Sequence, residues 1–135
     1  MIDSASLAPA AAAEADRRPK VLVVDDEPAN LQVLRQLLQS RYRLAFARDG
    51  AKALELAARE TPDLILLDVM MPGLSGLDVC RRLKADPALA RIPVIFVTAL
   101  TDPEHEAEGF GAGAVDYITK PVSGPIVLAL SLIHI

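Results

Sequence analysis

At 135 residues, 52% hydrophobic and 24% charged, the chain has the composition of one globular domain: enough for a single core, too little for two full-sized ones. A formal net charge of -4 argues against nonspecific binding of nucleic acid or an anionic membrane, whereas a clustered acidic site would suit a divalent cation. The single cysteine, Cys80, excludes an internal disulfide, and its place in an apolar-periodic segment predicts a buried structural thiol.

The first stretch, Met1 to Pro19, lacks the basic start and long apolar run of a signal peptide and reads as a loose N-terminal arm, residues 1–19. "KVLVVD" is a short apolar strand that ends abruptly in Asp25, Asp26 and Glu27. "PANLQVLRQLLQS" then places Leu31, Leu34, Leu37 and Leu38 on one helical face, with Pro28 tolerated at the helix start. "YRLAFA" alternates weakly as a strand. "DGAKALELAARE" begins with Asp49 as a cap and predicts a buried face of Ala53, Leu54, Ala57 and Ala58.

"DLILLD" is a continuous aliphatic strand ending at Asp68. In "MMPGLSG", Pro72 and Gly73 mark a turn, and Gly76 permits a close approach as the chain enters a helix, "SGLDVCRRLKAD", that closes before Pro87. "IPVIFVT" is a fourth strand, "DPEHEAEGF" a short acidic helix, and "AVDYIT" a fifth strand leading into Lys120 and Pro121. The final segment starts as a helix after Pro125. "VSGPIVLALSLIHI" carries no Asp, Glu, Lys or Arg, yet it is far shorter than the roughly 20 apolar residues a membrane span needs.

Strands this apolar, separated by helices rather than hairpins, predict a five-stranded, doubly wound parallel α/β sheet of flavodoxin-like order 2-1-3-4-5, with helices on both faces. Binding groups in such a fold gather at the carboxyl ends of the strands. Asp25 and Asp26 fall there after the first strand, Asp68 after the third, Thr98 after the fourth and Lys120 after the fifth. Three carboxylates at one crest repel one another unless a cation sits among them, and an oxygen-only ligand set favours Mg²⁺. No dinucleotide glycine fingerprint and no Walker A sequence is present. Lys120 and Thr98 supply a positive charge and a hydroxyl for a small oxyanion, which makes in-line phosphoryl transfer to Asp68 a reasonable chemistry. Each residue also has a plainer reading as a turn, cap or solvated charge. His105 and His134 have no ligand company and are assigned no chemistry.

The paired acids of "VDDEPAN", the block "LLDVMMPGLSGLDVCRRL", the small Ala99 after Thr98 in "VTAL", and "GAVDYITKP" occur in this order. With these signals the chain resembles the receiver domain of a bacterial two-component response regulator over about Lys20 to Leu128. The resemblance implies Asp68 as the phosphorylated aspartate, with Mg²⁺ held by Asp26, Asp68 and the backbone carbonyl of Met70, and Asp25 helping through the ion or its water. Thr98 would bond one phosphoryl oxygen and Lys120 pair with another. Tyr117 would be the aromatic that repacks when Thr98 is drawn inward, and the Lys120–Pro121 peptide would be cis. It also implies a cytoplasmic setting, a sensor histidine kinase or phosphotransfer protein as phosphoryl donor, a homodimer among its assemblies, and an output domain beyond this chain. DNA binding by the chain itself is not expected, since no helix-turn-helix follows.

The pattern fails after "KPVSGPIVLA", where a charged amphipathic helix is expected and "LSLIHI" stands instead. The domain is therefore drawn as 20–130, and residues 131–135 as an atypical ending, either packed against a partner or a neighbouring copy, or truncated or non-native. Around "YITKPVSGPIVLA" the wording is similar to receivers attached to cyclic-dinucleotide phosphodiesterase or cyclase domains. Two other functions compete. A Mg²⁺-dependent phosphatase or phosphotransferase of haloacid-dehalogenase type would want an acid two positions after the nucleophile, where Met70 stands. A protein-binding module with a vestigial crest does not need Asp26, Asp68, Thr98 and Lys120 all together.

Overall fold

A computed structural model describes residues 17–99 and 103–135. The arm expected over residues 1–19 therefore lies outside the described residues as far as residue 16. Among the described residues five strands and five helices alternate: β1 (Lys20–Val24), α1 (Pro28–Leu38), β2 (Arg43–Ala47), α2 (Gly50–Glu60), β3 (Leu64–Leu67), α3 (Gly76–Ala85), β4 (Val94–Thr98), α4 (Pro103–Gly111), β5 (Asp116–Thr119) and α5 (Gly124–His134). All strand pairs are parallel and the order is β2-β1-β3-β4-β5, as the alternation of apolar strands with helices predicts.

Two cores result from the period-2 alternation of the strands. Val21, Val23, Leu64, Leu66, Ile95, Val97 and Ile118 point to the layer formed by α1 and α5, where Leu34, Leu38 and Val127 meet them. Leu22, Val24, Ile65, Leu67, Val94 and Phe96 point to the other layer, against Ala53, Leu56 and Ala57 of α2 and Val79, Cys80 and Leu83 of α3. Interior strands buried on both faces need apolar residues throughout, which is why β1, β3 and β4 read as continuous aliphatic runs. Cys80 is buried, its thiol donating to the Ala112 carbonyl at 3.4 Å, and burial pushes its pKa up.

One face prediction is corrected. On α2 the buried stripe is Gly50, Ala53, Leu56 and Ala57, while Ala58 is exposed. Leu56 and Ala53 flank the same line of contact with the sheet, and the larger side chain takes the inward position. α5 runs without a break through Leu130 to His134. Ser131 is buried within it, its hydroxyl 2.9 Å from the Leu128 carbonyl and 3.1 Å from the Tyr42 hydroxyl. Leu132 and Ile133 point outward, the latter 71% exposed.

Candidate functional site: an acidic crest closed by a lysine

Strand register assembles the site. Val24 pairs with Leu67, so the next residues, Asp25 and Asp68, leave the sheet side by side. Thr98 pairs with Thr119, and the Lys120 N–H donates to the Thr98 carbonyl at 2.8 Å, which brings the fifth strand's exit to the same crest. Asp25, Asp68 and Lys120 each continue the alternation of residues facing the α1–α5 layer, so their side chains converge. Thr98 continues that of Phe96, on the opposite side. The Lys120–Pro121 peptide is cis, as the resemblance implies.

Asp25 is 1% exposed, Asp68 5% and Thr98 0%. The Lys120 ammonium donates to Asp25 Oδ2 at 2.7 Å and to Asp68 Oδ2 at 3.1 Å. Each carboxylate gives its other oxygen to a backbone N–H two residues on: Asp25 Oδ1 to Glu27 at 2.9 Å and Asp68 Oδ1 to Met70 at 3.2 Å. Burial opposes the charged ammonium, but the hydrogen bonds and attractions of Asp25 and Asp68 prevail and hold the Lys120 pKa above the lysine range. The cation demanded by the crowded carboxylates is thus in part a residue of the chain itself.

One lysine does not balance three acids. Carboxylate oxygens of Asp25, Asp26 and Asp68 lie within 4.8 Å of one another, and Asp26, half-exposed, is not among the acceptors of Lys120. This set of hard oxygens at an open edge fits a small divalent cation. A hollow of about 240 Å³ beside it is lined by Asp68, Met70, Thr98, Ala99, Lys120, Glu27 and Asn30. Glu27, read from sequence only as the end of the acidic run, and Asn30 are not among the site residues the sequence predicts. They reach the hollow because α1 begins directly over the crest, and Pro28 at its start was the available signal.

The loop after Asp68 is fixed by the entry of α3. A Cβ on Gly76 would collide with the Asp68 carbonyl, and Gly76 N–H donates to the Val69 carbonyl at 2.9 Å. Gly73, at φ 75°, takes the left-handed turn that glycine allows. Ser75 and Asp78 form a reciprocal capping box at the start of α3. Tyr117 is half-buried, its ring centroid 6.2 Å from that of Phe96.

The family model for the response regulator receiver domain matches residues 21–130. The chain belongs to that family. It is 46% identical over 111 residues to the response regulator PleD of Caulobacter vibrioides, and 47% identical over 107 residues to a probable cyclic di-GMP phosphodiesterase of Vibrio cholerae. These alignments cover 82% and 79% of this chain, and the chain spans 24% of the length of either relative. Among solved structures it is similar to the chemotaxis protein CheY4 of Vibrio cholerae, with a TM-score of 0.83 at 29% identity, covering 87% of this chain and 99% of that one. The BeF3-activated DrrB receiver domain is similar at a TM-score of 0.79 and 35% identity, covering 87% and 97%. The receiver fold and family membership thus agree with the sequence reading. Among the described residues, no helix is long and apolar enough to cross a membrane.

Proposed function

We infer that this domain takes a phosphoryl group from a sensor histidine kinase or phosphotransfer protein onto Asp68, and that the modification changes the surface a partner reads. The observation that carries this reading is the Asp68 carboxylate, buried at the end of an interior strand, 3.1 Å from Lys120 and clustered with two further acids. In the transfer, an Asp68 oxygen bonds to phosphorus as the bond from phosphorus to the donor's imidazole nitrogen breaks, and the departing imidazole takes a proton from solvent. The Met70 N–H holds the acceptor carboxylate in place beforehand, which lowers the ordering required at the moment of reaction.

Lys120 pairs with one phosphoryl oxygen and the Thr98 hydroxyl donates to another. Asp26, Asp68 and the Met70 carbonyl would hold Mg²⁺, with Asp25 beside them, and the ion would neutralise charge on the phosphoryl oxygens. The domain thereby assists its own phosphorylation and dephosphorylation, and turns over no external substrate as its main role. Thr98 and Tyr117 form the switch that relays the change.

The receiver unit is residues 20–130 in this reading, and the end of the family match at residue 130 supports that bound. The relatives' greater length supports an output domain in the whole protein, and the Vibrio cholerae relative, a probable cyclic di-GMP phosphodiesterase, supports cyclic-dinucleotide chemistry there. A cytoplasmic setting, where a kinase donor works, and a homodimer among its assemblies belong to the same reading.

The test is intact mass after incubation with Mg²⁺ and a phosphoryl donor such as acetyl phosphate. A single phosphate adduct that vanishes in Asp68→Ala is expected. An undiminished adduct in that variant would overturn the assignment.

A further inference from the structure

Charge is sorted along this chain by sheet edge. From Pro28 to Arg48, covering α1 and β2, the sequence carries Arg35, Arg41, Arg43 and Arg48 and no Asp or Glu. From Ile92 to Thr119, covering β4, α4 and β5, it carries Asp102, Glu104, Glu106, Glu108 and Asp116 and no Lys or Arg. The order β2-β1-β3-β4-β5 puts β2 and β5 at opposite edges. A chain of modest net charge therefore has one basic flank and one acidic flank.

These charges are not consumed internally. Among the described residues, the ion pairs involve none of Arg35, Arg41, Arg48, Glu104, Glu106 and Glu108. Apolar surface accompanies charge on both flanks. Between α1 and β2 a hollow of about 200 Å³ is lined by Pro28, Leu31, Gln32, Arg35 and Phe46. On the acidic flank Phe110 is 43% exposed and Val115 41%. Phe110 follows Glu106 by four positions on α4, so ring and carboxylate share a face.

We propose that these flanks recognise each other in separate copies of the chain, the α4–β5 flank of one molecule docking on the α1–β2 flank of the next. Phe110 meets the hollow of Leu31 and Phe46, and Glu106, on the same helical face, meets Arg35 and Arg48. A symmetric contact through either flank alone would set like charges opposite one another, which costs free energy. The head-to-tail contact joins two different patches and so leaves one flank open at each end of any assembly. Asp68, on an interior strand, is part of neither flank. Opposite charge steers the encounter and salt weakens it.

Sedimentation velocity of the full chain tests this at about 0.01 M salt, where the screening length is about 30 Å, and at about 1 M, where it is about 3 Å. Association growing with protein concentration is expected at low salt, with return to the 14.4 kDa monomer at high salt. Arg35→Gln with Arg48→Gln, and Glu106→Gln with Phe110→Ala, change exposed side chains only, and each double variant should be monomeric alone. Mixed in equal amounts they should form a 1:1 dimer that does not extend, because one acidic and one basic flank remain intact between them. A parent that stays monomeric at low salt overturns the proposal. So does a mixture that stays monomeric, or association that survives 1 M salt or persists in both variants, which would trace instead to the apolar Leu132 and Ile133.

Discussion

The Lys120 ammonium donates to Asp25 at 2.7 Å, a contact 95 residues apart in sequence and shorter than the 3.1 Å contact the same ammonium makes with Asp68. Asp25 is therefore more than a neighbour of the acceptor. It anchors the lysine that serves it, and the buried crest holds together through this one shared cation.

That sharing predicts a pH dependence. Because the folded-state pKa of Lys120 is raised above the ordinary 10.5, its contribution to stability is complete below that value and is lost as pH rises through the folded value. Lys120→Met should lower urea stability by about 2–3 kcal/mol near neutral pH, by leaving two buried carboxylates without their donor. The gap between parent and variant should narrow from neutral pH to a pH beyond the raised folded-state value. An equal gap at both pH values would contradict the pairing.

Asp26 is the acid that Lys120 does not hold, and the Mg²⁺ reading leans on it. Asp26→Asn should weaken Mg²⁺ binding in a calorimetric titration by at least about tenfold, a loss of about 1.4 kcal/mol. Unchanged affinity would reduce the paired acids to turn residues.

Gly76 carries a steric prediction. A methyl there meets the Asp68 carbonyl and the Val69 Cα, backbone atoms that no rotamer can move aside. Gly76→Ala should destabilise the domain by about 1–3 kcal/mol, the range for overpacking, and should slow phosphorylation by shifting the acceptor. Denaturation midpoints and the rate of adduct formation measure the two effects separately; a variant unchanged in both refutes the close approach.

Coupling should run from Thr98 to Tyr117. Both lie on the α4 side of the sheet, Tyr117 is in register with Phe96, and the small Ala99 lines the hollow beside Thr98. Adding Mg²⁺ and a phosphoryl mimic should shift NMR resonances of Tyr117 and of Glu104 to Phe110. Thr98→Ala should suppress those distant shifts while Mg²⁺ affinity holds. A two-state switch of this kind needs about 5.5 kcal/mol of differential stabilisation to pass from 1:99 to 99:1. Shifts confined to Asp25, Asp26 and Asp68 in the parent would rule the relay out.

Sequence made the crest legible because its members sit where apolar strands stop. Asp25, Asp68, Thr98 and Lys120 each end or follow a strand, and parallel order alone brings such positions to one edge. The pairing of Lys120 with Asp25 was not legible, since it depends on a side-chain path across the end of the sheet rather than on any periodicity. Ala58 was assigned to the buried stripe because alanine reads equally well on either side of a helix. Only the contact with the sheet distinguishes it from Leu56. The end of α5 offers less to read: with no charged residue after Lys120, the sequence has no polar face from which to judge where the helix ends.

Acceptor and lysine ride on strands of unequal security. β3 is paired on both sides, whereas β5 is an edge paired only with β4. Local openings begin at such edges and reach interior strands at free energies closer to global unfolding. A fluctuation confined to β5 therefore carries Lys120 away while Asp25 and Asp68 stay where they are, and their mutual repulsion returns at once. The electrostatic readiness of the acceptor is thus tied to the less secure edge strand, although the acceptor itself follows a strand paired on both sides.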